Sequence, residues 1–174
     1  MKRRIQSHPL FRESNRLIAK FALLIIYLAT LSYGLFFAES FGRTIEHGSF
    51  NIEPFHEIKR YIRYADVLGS HIVALNLLGN VMVFLPFGFL VASLFPANDK
   101  KHPLAITGLS MLFSAVVELL QYLTSVGAAD VDDVILNTIG GFIGYLLYAG
   151  WRIWWYGSVN LPAGQGAQQK KEEM

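Results

Sequence analysis

Three stretches of this chain gather the residues able to hold a proton, grip a polar ligand or take part in acid–base chemistry. The first is Asn76 and Asn80, one helical turn apart with Gly79 beside them. The second runs Thr107, Ser110, Ser114, Glu118, Gln121 and Ser125, at steps of three or four that put all six on one helix face. The third is Asp130, Asp132 and Asp133, followed at helical steps by Asn137, Gly140, Gly144 and Tyr148. Amides and carboxylates in such an array suit hydrogen bonding to a polar ligand. A glutamate beside an aspartate also suits general acid–base work, and Glu118 and Asp133 are the catalytic candidates. No metal is expected. The acidic cluster lacks the glycine turn and terminal glutamate of an EF-hand loop, and His56 and His71 stand singly. No cofactor is expected either, since there is no phosphate-cradling glycine loop, serine nucleophile motif or paired-histidine zinc motif. Cysteine is absent, which excludes disulfides and thiolate chemistry.

The elements that must position these groups are membrane spans. Hydrophobic residues make up 53% of the 174 and charged residues only 16%, against about a quarter charged in an ordinary soluble domain. Apolar runs occupy about 21–38, 72–95, 104–123 and 134–151, each close to the ~20 residues that cross ~30 Å of hydrocarbon. The first follows Lys2, Arg3 and Arg4, is too long for a signal-peptide core and meets no cleavage site, so it reads as a retained span. The expectation is an all-α protein: a four-helix transmembrane bundle over 21–151, preceded by a cytoplasmic segment (1–20) and followed by a disordered cytoplasmic tail (152–174). Basic residues cluster before span one (including Arg12, Arg16 and Lys20), at Lys100 and Lys101, and at Arg152, Lys170 and Lys171. By the positive-inside rule both termini are cytoplasmic, despite Arg43, Lys59, Arg60 and Arg63 in the long first outer loop. Trp151, Trp154, Trp155 and Tyr156 would anchor the inner interface. In that loop Pro54 is a favourable first helical residue. Phe55, Ile58, Tyr61, Ile62 and Ala65 follow at helical spacing, predicting a short amphipathic helix on the membrane surface, over the bundle, or both. No basic tract interleaved with aromatics is present, so nucleic acid is not an expected partner.

Ionisable and amide groups inside a membrane are costly, so their depth carries information. With this topology Asn76, Asn80, Glu118, Gln121 and Asn137 fall one to two turns below the outer surface, and Asp130 and Asp133 lie at its lip. These seven residues are the expected ligand-binding set, around one polar cavity open to the outside. Glu118 is expected to hydrogen-bond Gln121 or Asn137. Packing is the competing role. Ser110, Ser114 and Gly144 fit it best, since small and hydroxylated residues draw transmembrane helices together. Asn76 and Asn80 fit either, and a helix-dipole role suffices for Asp132.

The same residues resemble a known family. Asn76-Leu-Leu-Gly-Asn80, then Val-Met-Val-Phe-Leu-Pro86-Phe-Gly88, is similar to the second-span signature of VanZ-like membrane proteins. So are Glu118-Leu-Leu-Gln121, Asp130-Val-Asp-Asp133 and Asn137-Thr-Ile-Gly140-Gly-Phe-Ile-Gly144, and the Asn51-Ile-Glu-Pro54-Phe55 element of the outer loop. The resemblance covers about 50–148. It implies a bacterial inner-membrane protein of the cell envelope, in a family whose namesake is associated with resistance to the glycopeptide teicoplanin. Relatives usually carry a basic residue three positions before Asp130. Here Gly127 stands there, so the contact is either lost or supplied by Arg60 or Arg63.

The reading that follows is a binding or handling module for an envelope lipid, a lipid-linked sugar or an acylated glycopeptide. The alternatives are an intramembrane enzyme acting on a lipid-linked substrate through Glu118, and a structural partner of other envelope proteins. Nothing in the sequence demands catalysis.

Overall fold

The four apolar runs become four long helices in the computed structural model, which describes residues 9–36, 50–95, 102–124 and 126–159. Arg43, Lys100, Lys101, Ser125, the segment before Pro9 and the tail after Val159 lie outside the described residues, as do the side chains of Arg12 and Tyr156. In chain order the elements are α1 (Pro9–Phe36), β1 (Phe50–Asn51), α2 (His56–Arg63), α3 (Ala65–Leu68), α4 (Ser70–Leu94), α5 (His102–Leu123), β2 (Ala129–Asp130) and α6 (Val131–Val159). The chain is an all-α, multi-pass membrane protein, its four long helices each long and apolar enough to cross a bilayer. Their outer faces are apolar, as lipid requires: Leu17, Ile18, Ile25, Leu78, Met82, Leu112 and Ile153 are all exposed. The first and last helices outrun their apolar cores. α1 begins at Pro9, because the polar and basic residues ahead of Phe21 are good helix formers and need no hydrocarbon.

α4 is the hub. Apart from the Asn76–Asn80 stripe its circumference is apolar, the mark of a helix with neighbours on several sides. α6 runs parallel to it at backbone contact, which glycine permits. A Cβ on Gly140 would stand 2.2 Å from the Val81 carbonyl oxygen, and one on Gly144 2.0 Å from that of Leu85. On the α4 side, a Cβ on Gly88 would meet the Gly141 carbonyl at 1.8 Å. The packing role read for Gly144 is therefore what the geometry shows, and Gly140 and Gly88 share it. α5 runs antiparallel to α6. There Ser110, wholly buried, hydrogen-bonds its own Ile106 carbonyl (2.8 Å) and occupies the space a Gly141 side chain would need.

The apolar core lies toward the end where α4 stops. Phe84, Phe87, Val91, Ala92 and Ile106 are buried together, Phe113 stacks on Phe87 at 4.8 Å, and Leu24, Tyr27 and Leu28 of α1 cover them. Pro86 lacks an N–H, so the helix loses the bond to the carbonyl four residues back. The Tyr27 hydroxyl donates to the next carbonyl, Val83, at 2.7 Å. Lys20 Nζ donates to the Ser93 carbonyl at 2.5 Å, one of the last, unpaired carbonyls of α4. The other end of the bundle, where α1 and α5 finish and α4 and α6 begin, is built from polar groups.

A polar cavity beneath a clasped loop

Two features not foreseen in the sequence close that end. β1 and β2 form a two-residue parallel bridge, Phe50 opposite Ala129 and Asn51 opposite Asp130. The second feature is Asp132. Its side chain is 1% exposed, and its carboxylate accepts the Phe55 N–H on Oδ1 (2.5 Å) and the Ile58 N–H on Oδ2 (3.1 Å). These are orphan donors at the start of α2, which has no side-chain cap of its own. Asp132, at the start of α6, thus caps a helix in the distant loop, a larger role than the dipole partner expected of it.

The clasp explains why Pro54 is not the first helical residue. Asn51 Oδ1 accepts the Glu53 N–H (3.1 Å) in an Asx-type turn, and Phe55 takes a left-handed conformation (φ 65°). That backbone is uncommon for a bulky residue and aims the Phe55 N–H at Asp132. α2 then starts at His56. Ile58 and Tyr61 turn inward over the bundle, while Phe55 and Ile62 stay exposed.

Below the clasp lies a cavity of about 1120 Å³. All seven residues of the expected set line it: Asn76, Asn80, Glu118, Gln121, Asp130, Asp133 and Asn137. Asn80 Nδ2 donates to Asp133 Oδ1, joining α4 to α6 at its edge. Buried Asn137 donates to the buried Ser114 hydroxyl (2.8 Å), joining α6 to α5. Glu118, also buried, accepts the Asp130 N–H on Oε2 at 3.1 Å. Asp130 Oδ1 in turn accepts the Asn51 side-chain amide (3.0 Å) and the Asp132 N–H (2.8 Å). Asn76, also on the cavity wall, donates to the Ile72 carbonyl one turn back (2.9 Å). Every buried side-chain nitrogen and oxygen among the described residues is satisfied, as a polar site within a low-dielectric bundle must be.

Other residues line it as well: Asn51, Asp132 and Glu57, outside the expected set, and Arg60, Tyr61 and Tyr64 from the loop helices and the turn joining them, of which Arg60 was a candidate for the missing charge. Only the quoted loop motif hinted at Asn51, and the inward stripe of α2 at Tyr61. Arg60, rather than Arg63, reaches the cavity. It pairs with Glu57 at 2.5 Å and lies 5.5 Å from the Tyr61 ring centre. Gly127 is on the cavity wall too, with room for a side chain, since a Cβ there would touch only Gln121 at 3.4 Å. Burial pushes the Asp130 carboxyl above its ordinary value. The Asp132 and Glu57 carboxylates push the same way, and the Asp132 N–H and Asn51 amide pull it partly back.

Spanning helices around a polar cavity, roofed by a clasped loop helix, define a class of multi-pass membrane protein. The chain belongs to the VanZ/LLP1 family, whose model matches residues 22–155. It is similar to protein VanZ of Enterococcus faecium, 28% identical over 126 residues that cover 72% of this chain and 71% of that protein. No solved structure matches it. Family membership and the spans together make it a membrane protein connected with the cell envelope.

Proposed function

We propose that this protein binds the polar part of an envelope amphiphile in the cavity: a phospholipid, a lipid-linked sugar or an acylated glycopeptide. The observation that carries the reading is the convergence of carboxylates and amides from α4, α5 and α6 on one space. Each is costly to place among apolar spans. Packing alone accounts for the bonded pairs Asn80–Asp133 and Asn137–Ser114, but not for the space of about 1120 Å³ that these groups line. The cavity faces outward and both termini are cytoplasmic. Supporting this, Arg16, Lys20 and Arg152 sit at the end away from the cavity, as the positive-inside rule asks.

The test is native mass spectrometry of the purified protein in nanodiscs. The probes are phosphatidylglycerol, a polyprenyl-diphosphate-linked sugar and a lipidated glycopeptide. At least one should be retained at one copy per protein, and Glu118→Gln should weaken retention without loss of fold. Equal, weak retention of all three in both proteins would overturn the reading.

A further inference from the structure

Two stripes of α4 line the cavity, and they differ in what lies behind them. Asn76, Asn80 and Phe84, spaced four apart, face into the bundle. The neighbouring stripe, Ile72, Leu75, Gly79 and Val83, also lines the cavity, yet Leu75 is 71% exposed and Val83 40%. Residues that are at once cavity wall and outer surface mark an opening. This one is sideways, because Gly79 lies about 13 Å along α4 at 1.5 Å per residue, inside the span. Hydrocarbon, not water, is outside it. At Gly79 a Cβ would meet no atom within 4 Å, whereas on the side of α4 packed against α6 the glycine contacts leave no room even for a methyl group.

We infer that the cavity opens laterally into the bilayer along the Ile72–Leu75–Gly79–Val83 stripe. One acyl chain of the bound amphiphile lies against that stripe while its head group sits within. This deepens the head-group reading above and rests on it. The occupant follows from the continuity of the two surfaces. The polar chamber ends in an apolar wall that faces lipid, so a ligand spanning both must be polar at one end and aliphatic at the other. Gly79 is the residue that determines whether the chain fits, because its missing side chain leaves the gap.

The experiment uses the full chain in nanodiscs of phosphatidylglycerol and phosphatidylethanolamine. These are doped with a phospholipid carrying a diazirine either midway along one acyl chain or on the head group. On illumination the chain probe should label the α4 stripe several-fold above the exposed Leu146 and Leu147 of α6, and the head-group probe should label the cavity. Gly79→Leu, which the open space should let fold, should lower stripe labelling several-fold, and Gly79→Ala less. Gly108→Leu, also in open space but outside the cavity, should change nothing. Head-group labelling in the cavity with chain labelling spread evenly around the bundle would overturn the lateral opening and leave the head-group reading standing. Absence of head-group labelling would overturn both. A change of oligomeric state in Gly79→Leu with labelling unaltered would make the stripe a contact between copies, and would also overturn the proposal.

Discussion

Asp132→Ala should release the roof of the cavity while leaving the bundle folded. The wild-type carboxylate accepts two backbone N–H groups, from Phe55 at 2.5 Å and Ile58 at 3.1 Å. Hydrogen bonds to a charged group contribute about 1.5–3 kcal/mol each, giving a gross loss of about 3–6 kcal/mol. Part is regained, because the α2 backbone is near solvent and water replaces the carboxylate. The left-handed Phe55 backbone, which costs roughly 1–2 kcal/mol, relaxes once nothing holds it. A net local loss of about 3 kcal/mol is expected, and at 1.4 kcal/mol per decade it raises the open fraction about a hundredfold. Hydrogen exchange with mass spectrometry reads this directly. Amides of 50–63 should exchange about two decades faster, while those of α4 beyond Val81 keep their protection. Asp132→Asn should fall between, since it keeps one acceptor but points an NH2 group at the other amide. Unchanged exchange at Phe55 and Ile58 would refute the clasp, and so would loss of protection throughout the bundle, which would make Asp132 a core residue instead.

Three further outcomes are expected. Gly140→Ala and Gly144→Ala should lower the thermal midpoint in detergent markedly, because each Cβ meets a carbonyl oxygen at 2.2 and 2.0 Å. Gly108→Ala, with open space around it, should be neutral or gain about 0.5–1 kcal/mol from helix propensity. The raised pKa of Asp130 means that its folded form binds a proton more tightly than the unfolded chain does. Its contribution to stability is therefore full below the ordinary value of 3.8 and is lost as pH rises through the folded-state pKa. Asp130→Asn, which can keep both hydrogen bonds to Oδ1, should flatten that part of the stability-versus-pH curve. Finally, Gly127→Arg should fold and should increase retention of anionic over zwitterionic phospholipid in native mass spectrometry, since it restores a cation to the cavity wall.

The spans were legible because lipid imposes a coarse signal: about twenty apolar residues in a row, four times. The polar set was legible for a related reason. Among apolar neighbours, Glu118, Gln121 and Asn137 stand out singly, and the helical period of α5 and α6 fixes which way they face. The roof was not. Asp132 and Phe55 are 77 residues apart, and a bond between a side chain and a distant backbone amide leaves no periodic trace. The one available signal was surplus: three acids in four residues exceed what a helix dipole uses. The β1–β2 bridge was hidden likewise, since two residues per strand are too few to show alternation.

The central claim is that the cavity holds the polar head of an amphiphile, and cryo-electron microscopy of the protein in nanodiscs of its native lipids tests it most directly. Head-group density is expected between Asn80, Glu118 and Asn137, beneath α2. A cavity closed by its own side chains, with ordered lipid only on the outer faces of the bundle, would contradict it.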